Sequence, residues 1–299
     1  MFINNKTKLE HSQNFLHSKK LVSELIRESN IGNKDIVIEI GGGKGIITEQ
    51  LAKKCNKVYV IEYDLDLYEN LKVKFSNRKN IEIIYGDFLE FELPKEHRYK
   101  VFSSIPYNIT AAILSKLTSS CNPPEEIYII IQEEAARKYA GNPYNRESMR
   151  SLLLKPYFDF KIIRKLKKTD FMPVPKVNSV FFRIQKRKNS LIKQDKIGLY
   201  YDFISYIFSK SGKDMKSRCK DIFSYKQIKR LSRDIGFKIT DSPTYLNYEQ
   251  WLKVFQYFII GVSGEKKKLV YNSYSKLLEE QKKIDKIHRS RKKGAFLIL

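Results

Sequence analysis

The chain has 299 residues, with 57 Lys+Arg against 33 Asp+Glu for a formal net charge of +24, and 42% of its residues are hydrophobic. That apolar share excludes a charge-dominated disordered chain, and the length suits a cofactor-sized α/β unit with a smaller companion. The charge excess says little about the fold but makes a polyanion the natural partner, because each neutralised phosphate releases condensed counterions. Cys55, Cys121 and Cys219 are isolated and odd in number, so neither a disulfide framework nor a metal site is expected. The first twenty residues hold no apolar run of the secretory kind. The longest apolar stretch, residues 254–262, is broken by Gln256 and too short for a bilayer. A reduced, cytoplasmic location without a membrane partner is the expectation.

Residues 19–29 place Leu21, Val22, Leu25 and Ile26 on one helical stripe, and the run IVIEI (36–40) then reads as a strand ending in glycines. A helical stretch (45–54) leads to a second strand, KVYVIEYD (57–64), and another (67–75) leads to IEIIYGD (81–87). YKVFSSI (99–105) and EIYIII (126–131) continue the series, and strands alternating with helices predict a mostly parallel sheet covered on both faces. Residues 158–165 and 177–185, either side of the turn FMPVP, read as a hairpin closing that sheet. Lys186–Lys193 is a basic linker, and Tyr200, Phe203, Ile204, Ile207 and Phe208 then begin a helical pattern that lasts to Val262. The expected layout is therefore a Rossmann-like α/β domain (1–186), a small all-helical RNA-binding domain (187–262) and a basic tail (263–299). In the tail eleven Lys/Arg face Glu265, Glu279, Glu280 and Asp285.

The segment EIGGGKG (39–45) lies between a strand and a helix, where glycines let the backbone approach a ligand and free amides favour polar groups. It is not a dinucleotide fingerprint, since position 46 is Ile where a third small residue is needed, and no GK[ST] follows for a P-loop. Glu62, 21 positions beyond Gly41, ends the next strand and is suited to both hydroxyls of a ribose. Asp87 ends the third strand and is suited to an adenine amino group. A nucleoside-shaped slot without a phosphate cradle suits S-adenosylmethionine better than NAD.

After the fourth strand comes Ser104-Ile105-Pro106-Tyr107. An exocyclic amine is a poor nucleophile, and two oxygen acceptors on its N–H bonds would localise the lone pair toward a methyl donor. Ser104 offers one acceptor and a backbone carbonyl beside Pro106 the other. Proline stiffens the loop, and Tyr107 follows it as a stacking ring. Phe171, just before Pro173 and Pro175, is the candidate for the opposite face of the base. Between Lys161 and Lys193 eleven Lys/Arg are opposed in sequence only by Asp170, a belt suited to phosphates flanking a flipped base.

HSQNFL (11–16), EIGGGKGIIT, the strand end at Glu62, GDFLEF (86–91), SIPYNIT and FMPVPKVNSV, in this order, resemble the rRNA adenine dimethyltransferase superfamily. The pattern is most similar to its Erm branch, which dimethylates 23S rRNA and confers macrolide–lincosamide–streptogramin B resistance. The resemblance covers roughly residues 8–183 and implies a linked helical domain as well. It implies that Asn14, Leu16, Gly41, Glu62, Asp87 and Ser104 contact S-adenosylmethionine, that Gly43 shapes the turn, and that Tyr107 and Phe171 hold the base. It also implies a monomer acting on rRNA, 23S first, without a metal. QEEAARKYAG (132–141) resembles instead the sister enzymes that dimethylate 16S rRNA, which keeps that target open, and a non-catalytic RNA-binding factor on the same fold is the alternative of another class. One position departs: the family has Asn where this chain has Ser104. Serine keeps an oxygen acceptor but has a shorter reach and no amide donor, so the balance of mono- and dimethylation is open.

Overall fold

The computed structural model describes residues 15–291, and these divide into two compact units. The first comprises 15–136 and 159–186, the second 137–158 and 187–291. The sequence boundary at 186/187 thus leaves out one segment, because 137–158 packs with the helices that follow it in the chain.

In the first unit seven strands form one sheet: β2 (Ile36–Ile40), β3 (Lys57–Glu62), β4 (Ile81–Tyr85), β5 (Lys100–Ser104), β6 (Glu126–Gln132), β7 (Phe158–Leu166) and β9 (Ser179–Lys186). Their order is β4-β3-β2-β5-β6-β9-β7, and the pairings from β4 to β6 are all parallel. β9 then runs antiparallel to β6, with Ile130 opposite Phe181. Buried strands read as near-continuous apolar runs, and Val37, Ile38, Val58, Val60, Val101, Phe102 and Ile127–Ile131 are accordingly sealed in the core. The expected closing pair is present as β9 and β7, hydrogen-bonded neighbours at the sheet edge.

Helices α1 (Lys19–Glu28), α2 (Ile46–Leu51), α3 (Leu65–Phe75) and α4 (Thr110–Ser119) connect the parallel strands or precede them. α1 begins at Ser18, whose hydroxyl accepts the Leu21 amide, and buries the stripe Val22, Leu25 and Ile26. α3 starts two residues before the sequence pattern suggests. The Asp64 carboxylate accepts the Leu67 amide and so fixes its first turn. A further pairing was not visible in any periodicity. β1 (Phe15–Leu16) lies antiparallel to β8 (Phe171–Met172), which joins the start of the described chain to the FMPVP segment.

The second unit is built on aromatic packing. Helix α7 (Gln194–Ser209) inserts Phe203 against Phe258 of α10 (Tyr248–Gly261) at 4.7 Å between ring centroids, with Trp251 edge-on to the same ring. The Trp251 indole N–H donates to the Pro243 carbonyl, as a buried indole requires. The recruited segment contributes α6 (Met149–Leu154), whose Leu152 and Leu153 join this core, and Lys155, which pairs with the fully buried Glu147. The basic linker is pinned to it as well, since the Arg187 and Leu191 amides donate to the carbonyls of Tyr157 and Pro156. Among the described residues no helix is long and apolar enough to cross a membrane.

Candidate active site

In an open α/β sheet the ligand crevice forms beyond the carboxyl ends of the strands, where the strand order reverses. Here that point lies between β2 and β5, which share one edge of contact while their chain neighbours run outward in opposite directions. The Ser103 hydroxyl donates to the Ile40 carbonyl across this junction. A cavity of about 640 Å³ opens there. Its walls are the turns after β2, β3, β4 and β5, together with Phe15 and Leu16. A volume of this order matches a nucleoside-sized ligand.

The glycine turn is held from beneath by the next strand end. Gly41 and Gly43 both take positive φ (74° and 53°), and a Cβ on Gly43 would meet the Phe15 ring at 2.8 Å, so a side chain at position 43 is opposed by both backbone and space. The Gly43 amide donates to Glu62 Oε2 (2.9 Å) and the Asp64 amide to Glu62 Oε1 (3.0 Å). Each carboxylate oxygen keeps a second lone pair, so the two that line the cavity remain able to accept from a vicinal diol. Asp87 Oδ1 accepts the Leu89 amide at 2.8 Å, which leaves Oδ2 for a donor in the cavity. These residues fit an adenosyl group, and the donor set contains no cluster of cations that a pyrophosphate would need.

Glu39, in the strand before the glycines, is fully buried. Thr48 donates to its Oε2 (2.7 Å), while Oε1 has no partner. Burial, the largest cause, pushes its carboxyl up to about 8 despite the Thr48 bond, and the nearby Glu62 adds to the shift. Near neutral pH this carboxyl is therefore largely protonated.

The reaction loop has a different character. Pro106 puts its own carbonyl out of use, because that oxygen accepts the Ile109 amide (3.3 Å) and the Thr110 hydroxyl (3.2 Å). The carbonyl of Ile105 and the hydroxyl of Ser104 form no hydrogen bond among the described residues, and both residues line the cavity. Of the two carbonyls flanking the proline, the free one is thus Ile105. The Tyr107 hydroxyl is 2.6 Å from Ser179 Oγ of β9, and burial raises its phenol above the ordinary range. That bond fixes the ring's orientation on the loop.

The structure brings Leu16, Gly41, Gly43, Glu62, Asp87, Ser104, Ile105, Pro106 and Tyr107 to one cavity. Asn14 lies outside the described residues. Phe171 is not among the residues lining the cavity: it is 2% exposed and sits in the apolar core beside Leu16, its cross-strand partner. Pairing β8 with β1 turns alternate side chains to opposite faces, which sends Phe171 inward and leaves Met172 outside at 64% exposure. The belt between Lys161 and Lys193 is also less free than its sequence suggests. Arg164 pairs with Glu24 and Glu28, Lys165 with Glu133, and Arg183 with Asp159. Lys161, Lys167, Lys176 and Lys186 are exposed on this unit.

Sequence reasoning missed Tyr63 and Tyr85, both more than half exposed on the cavity rim. Tyr63 directly follows Glu62 and was legible from that spacing; Tyr85 was hidden by its place at a strand end. It also missed Lys116 of α4, whose ammonium donates to the carbonyls of Phe88 (2.8 Å), Leu89 (2.7 Å) and Phe91 and so ties down the loop carrying Asp87. Nothing in the local sequence of Lys116 signals this, since its partners are 25–28 residues away.

Comparison with known proteins agrees with this geometry. Residues 4–259 match the family model described as ribosomal RNA adenine dimethylase. An rRNA adenine N-6-methyltransferase of Bacteroides fragilis is 34% identical over 248 residues, covering 81% of this chain and 90% of that protein. Ribosomal RNA small subunit methyltransferase A of Mycoplasmopsis pulmonis is 33% identical over 227 residues, covering 75% and 87%. Among solved structures, the 23S rRNA methyltransferase ErmE superposes with a TM-score of 0.76 at 27% identity, over 82% of this chain and all of that one. The chain is a member of the ribosomal RNA adenine dimethylase family, with a Rossmann-like methyltransferase fold and S-adenosylmethionine as its cofactor.

Proposed function

We propose that this protein is an rRNA adenine N6-methyltransferase that modifies 23S rRNA, adding one or two methyl groups to one adenine, and that the modification confers macrolide–lincosamide–streptogramin B resistance. It acts as a monomer in the cytoplasm. The observation that carries the chemistry is the pair of acceptors, Ser104 Oγ and the Ile105 carbonyl, that have no partner among the described residues and share a cavity with Glu62 and Asp87. The similarity to the 23S rRNA methyltransferase ErmE supports the choice of 23S rRNA.

When bound, S-adenosylmethionine supplies an electrophilic methyl carbon on a sulfonium. Glu62 would take the ribose hydroxyls, Asp87 the adenine amine, and Tyr63 one face of the cofactor's adenine ring. On the substrate side, Ser104 and the Ile105 carbonyl would each accept one N–H of the target amine. That draws its lone pair out of conjugation and aims it at the methyl carbon. Tyr107, held by Ser179, supplies a flat apolar platform for the base. As the N–CH3 bond forms, the S–CH3 bond would break to release a neutral thioether. The methylated amine, carrying one proton too many, would keep its N–H bonds on the same two acceptors until water takes that proton. No strong base is required, so the rate rests on alignment.

The small-subunit methyltransferase at 33% identity favours a second reading, in which the target is 16S rRNA. Radiolabelled methyl transfer to protein-free 23S rRNA and to assembled 30S particles separates the two. Mapping of the modified nucleotide after expression in a drug-sensitive bacterium then tests the resistance. Incorporation confined to 30S particles would overturn the 23S assignment, and cofactor binding without transfer to either would overturn the catalytic one.

A further inference from the structure

We propose that residues 264–291, which lie beyond the part of the chain matched by the family model, form an anchored helical arm that binds the phosphate backbone of structured rRNA. The inference rests on the rRNA reading only for the identity of the polyanion.

The arm is docked on the second unit by specific contacts. Helix α11 (Gly264–Lys268) is followed by Val270, which is completely buried, and then by helix α12 (Ser273–Arg291). The carboxylate of Asp202, from α7, accepts the amides of Asn272 (2.9 Å) and Tyr274 (3.0 Å). A side chain from another helix thus caps the start of α12 and sets a negative charge at its positive end. The Tyr274 ring meets Tyr201 of α7 edge to face at 5.2 Å, and Lys267 Nζ donates to the Ile259 carbonyl at 2.6 Å. Asn272 takes φ 63°, a conformation asparagine tolerates better than most residues, to turn the chain into the helix. Ordering this segment costs conformational entropy at every residue, and these contacts are what offset it.

By sequence the arm carries a large excess of positive charge. Residues 264–299 hold eleven Lys/Arg against four acids. Lys268, Lys276 and Lys283 are exposed, and no acid pairs with them among the described residues, although Glu280 lies at the i+4 position from Lys276. Arg164 in the first unit shows the opposite arrangement, with one guanidinium engaged by two carboxylates. Cations held on an ordered helix without partners repel one another, and a polyanion relieves that repulsion while releasing its counterions. A membrane surface fits less well. Leu277 and Leu278 are half-buried within the protein, so this part of the helix lacks a free apolar face to insert.

The test uses the full chain, with fluorescence anisotropy on a protein-free 23S rRNA domain transcript across a potassium chloride series. Replacing Lys268, Lys276 and Lys283 together by Gln is expected to make the log–log salt slope shallower by about two to three, since each phosphate contact contributes about 0.9. Affinity for S-adenosylmethionine and methyl transfer to a short stem-loop bearing the target adenine stay unchanged. Asp202→Ala keeps every cation but removes the anchor, and RNA affinity is expected to fall at least threefold; Asp202→Asn, which retains one acceptor oxygen, falls less. Thermal melts of both Asp202 variants establish that the unit is folded. An unchanged slope in the triple variant overturns the proposal. Wild-type affinity in folded Asp202→Ala overturns the anchored arm in favour of a loose polycation. Equal binding to anionic vesicles, lost in the same triple variant, overturns the choice of RNA. Binding is read without turnover, so failure of methyl transfer to every RNA would count against the proposed function and leave this result intact.

Discussion

The two ends of the cavity are built on opposite principles. At the glycine turn the two acids are braced by backbone amides, Glu62 by those of Gly43 and Asp64 and Asp87 by that of Leu89. At the reaction loop the Ser104 hydroxyl and Ile105 carbonyl have no partner among the described residues, while the carbonyl of Pro106 and the hydroxyl of Tyr107 are taken. On the proposed reading the cofactor end is a braced receptor, and the substrate end keeps acceptors for the target amine. Preorganisation at the first end serves affinity, and spare hydrogen-bonding capacity at the second serves the rate.

The contrast breaks most visibly if Phe171 belongs to the substrate end. As a buried core ring behind Leu16, Phe171→Ala is expected to cost about 3–5 kcal/mol of stability, read as a large fall in melting temperature. An unchanged melting temperature with lost transfer would return Phe171 to the base. Next in size, Glu62→Ala removes the acceptor of two backbone amides and is expected to weaken cofactor binding by about 3 kcal/mol, or a hundredfold and more, by calorimetry. A loss confined to kcat would show that the braced end is not the cofactor's.

Tyr107→Ala sharpens the other side. It is expected to lower kcat by about ten- to a hundredfold, some 1.4–2.7 kcal/mol, with cofactor affinity within about threefold of wild type. Equal damage to both would mean that the ring serves the whole cavity. Glu39 offers a pH handle. Its carboxyl is raised from an ordinary 4.5 to about 8, so between those limits the folded chain holds a proton that the unfolded chain has released. Its contribution to stability is full below about 4.5, falls as pH rises, by at most about 1.4 kcal/mol per pH unit, and is gone above about 8. Glu39→Gln is expected to flatten that segment of the melting-temperature profile, and parallel profiles would refute the shift.

The smallest effect is at Ser104. Ser104→Ala is expected to reduce kcat about fivefold, near 1 kcal/mol, because the Ile105 carbonyl remains. Ser104→Asn, the family's residue, is expected to raise the dimethylated fraction read by mass spectrometry. Activity appearing only in the Asn variant would mark the natural loop as inert.

The strands and the site acids at their ends were legible because each rests on local signals: apolar runs bounded by glycines, and carboxylates placed at fixed offsets from them. Glu62 and Asp87 needed only the spacing of β3 and β4 to be placed. Lys116, Ser179 and Phe171 were not legible in the same way. What each does depends on residues 25 to 155 positions distant, and no periodicity carries that information. The belt at 161–193 shows the same limit, because the acids that engage Arg164 lie on a helix 136–140 residues earlier.

Sequence by itself thus determined the sheet, the glycine turn, the order of the motifs and the family they resemble, since short-range pattern and backbone chemistry dictate those. Tertiary structure alone decided which carbonyl beside Pro106 is free, that Phe171 faces the core, that 137–158 joins the helical unit, and that the C-terminal arm is clamped by Asp202. Each of these turns on which distant groups satisfy one another's hydrogen bonds and apolar surface, and only the folded chain brings those groups within reach.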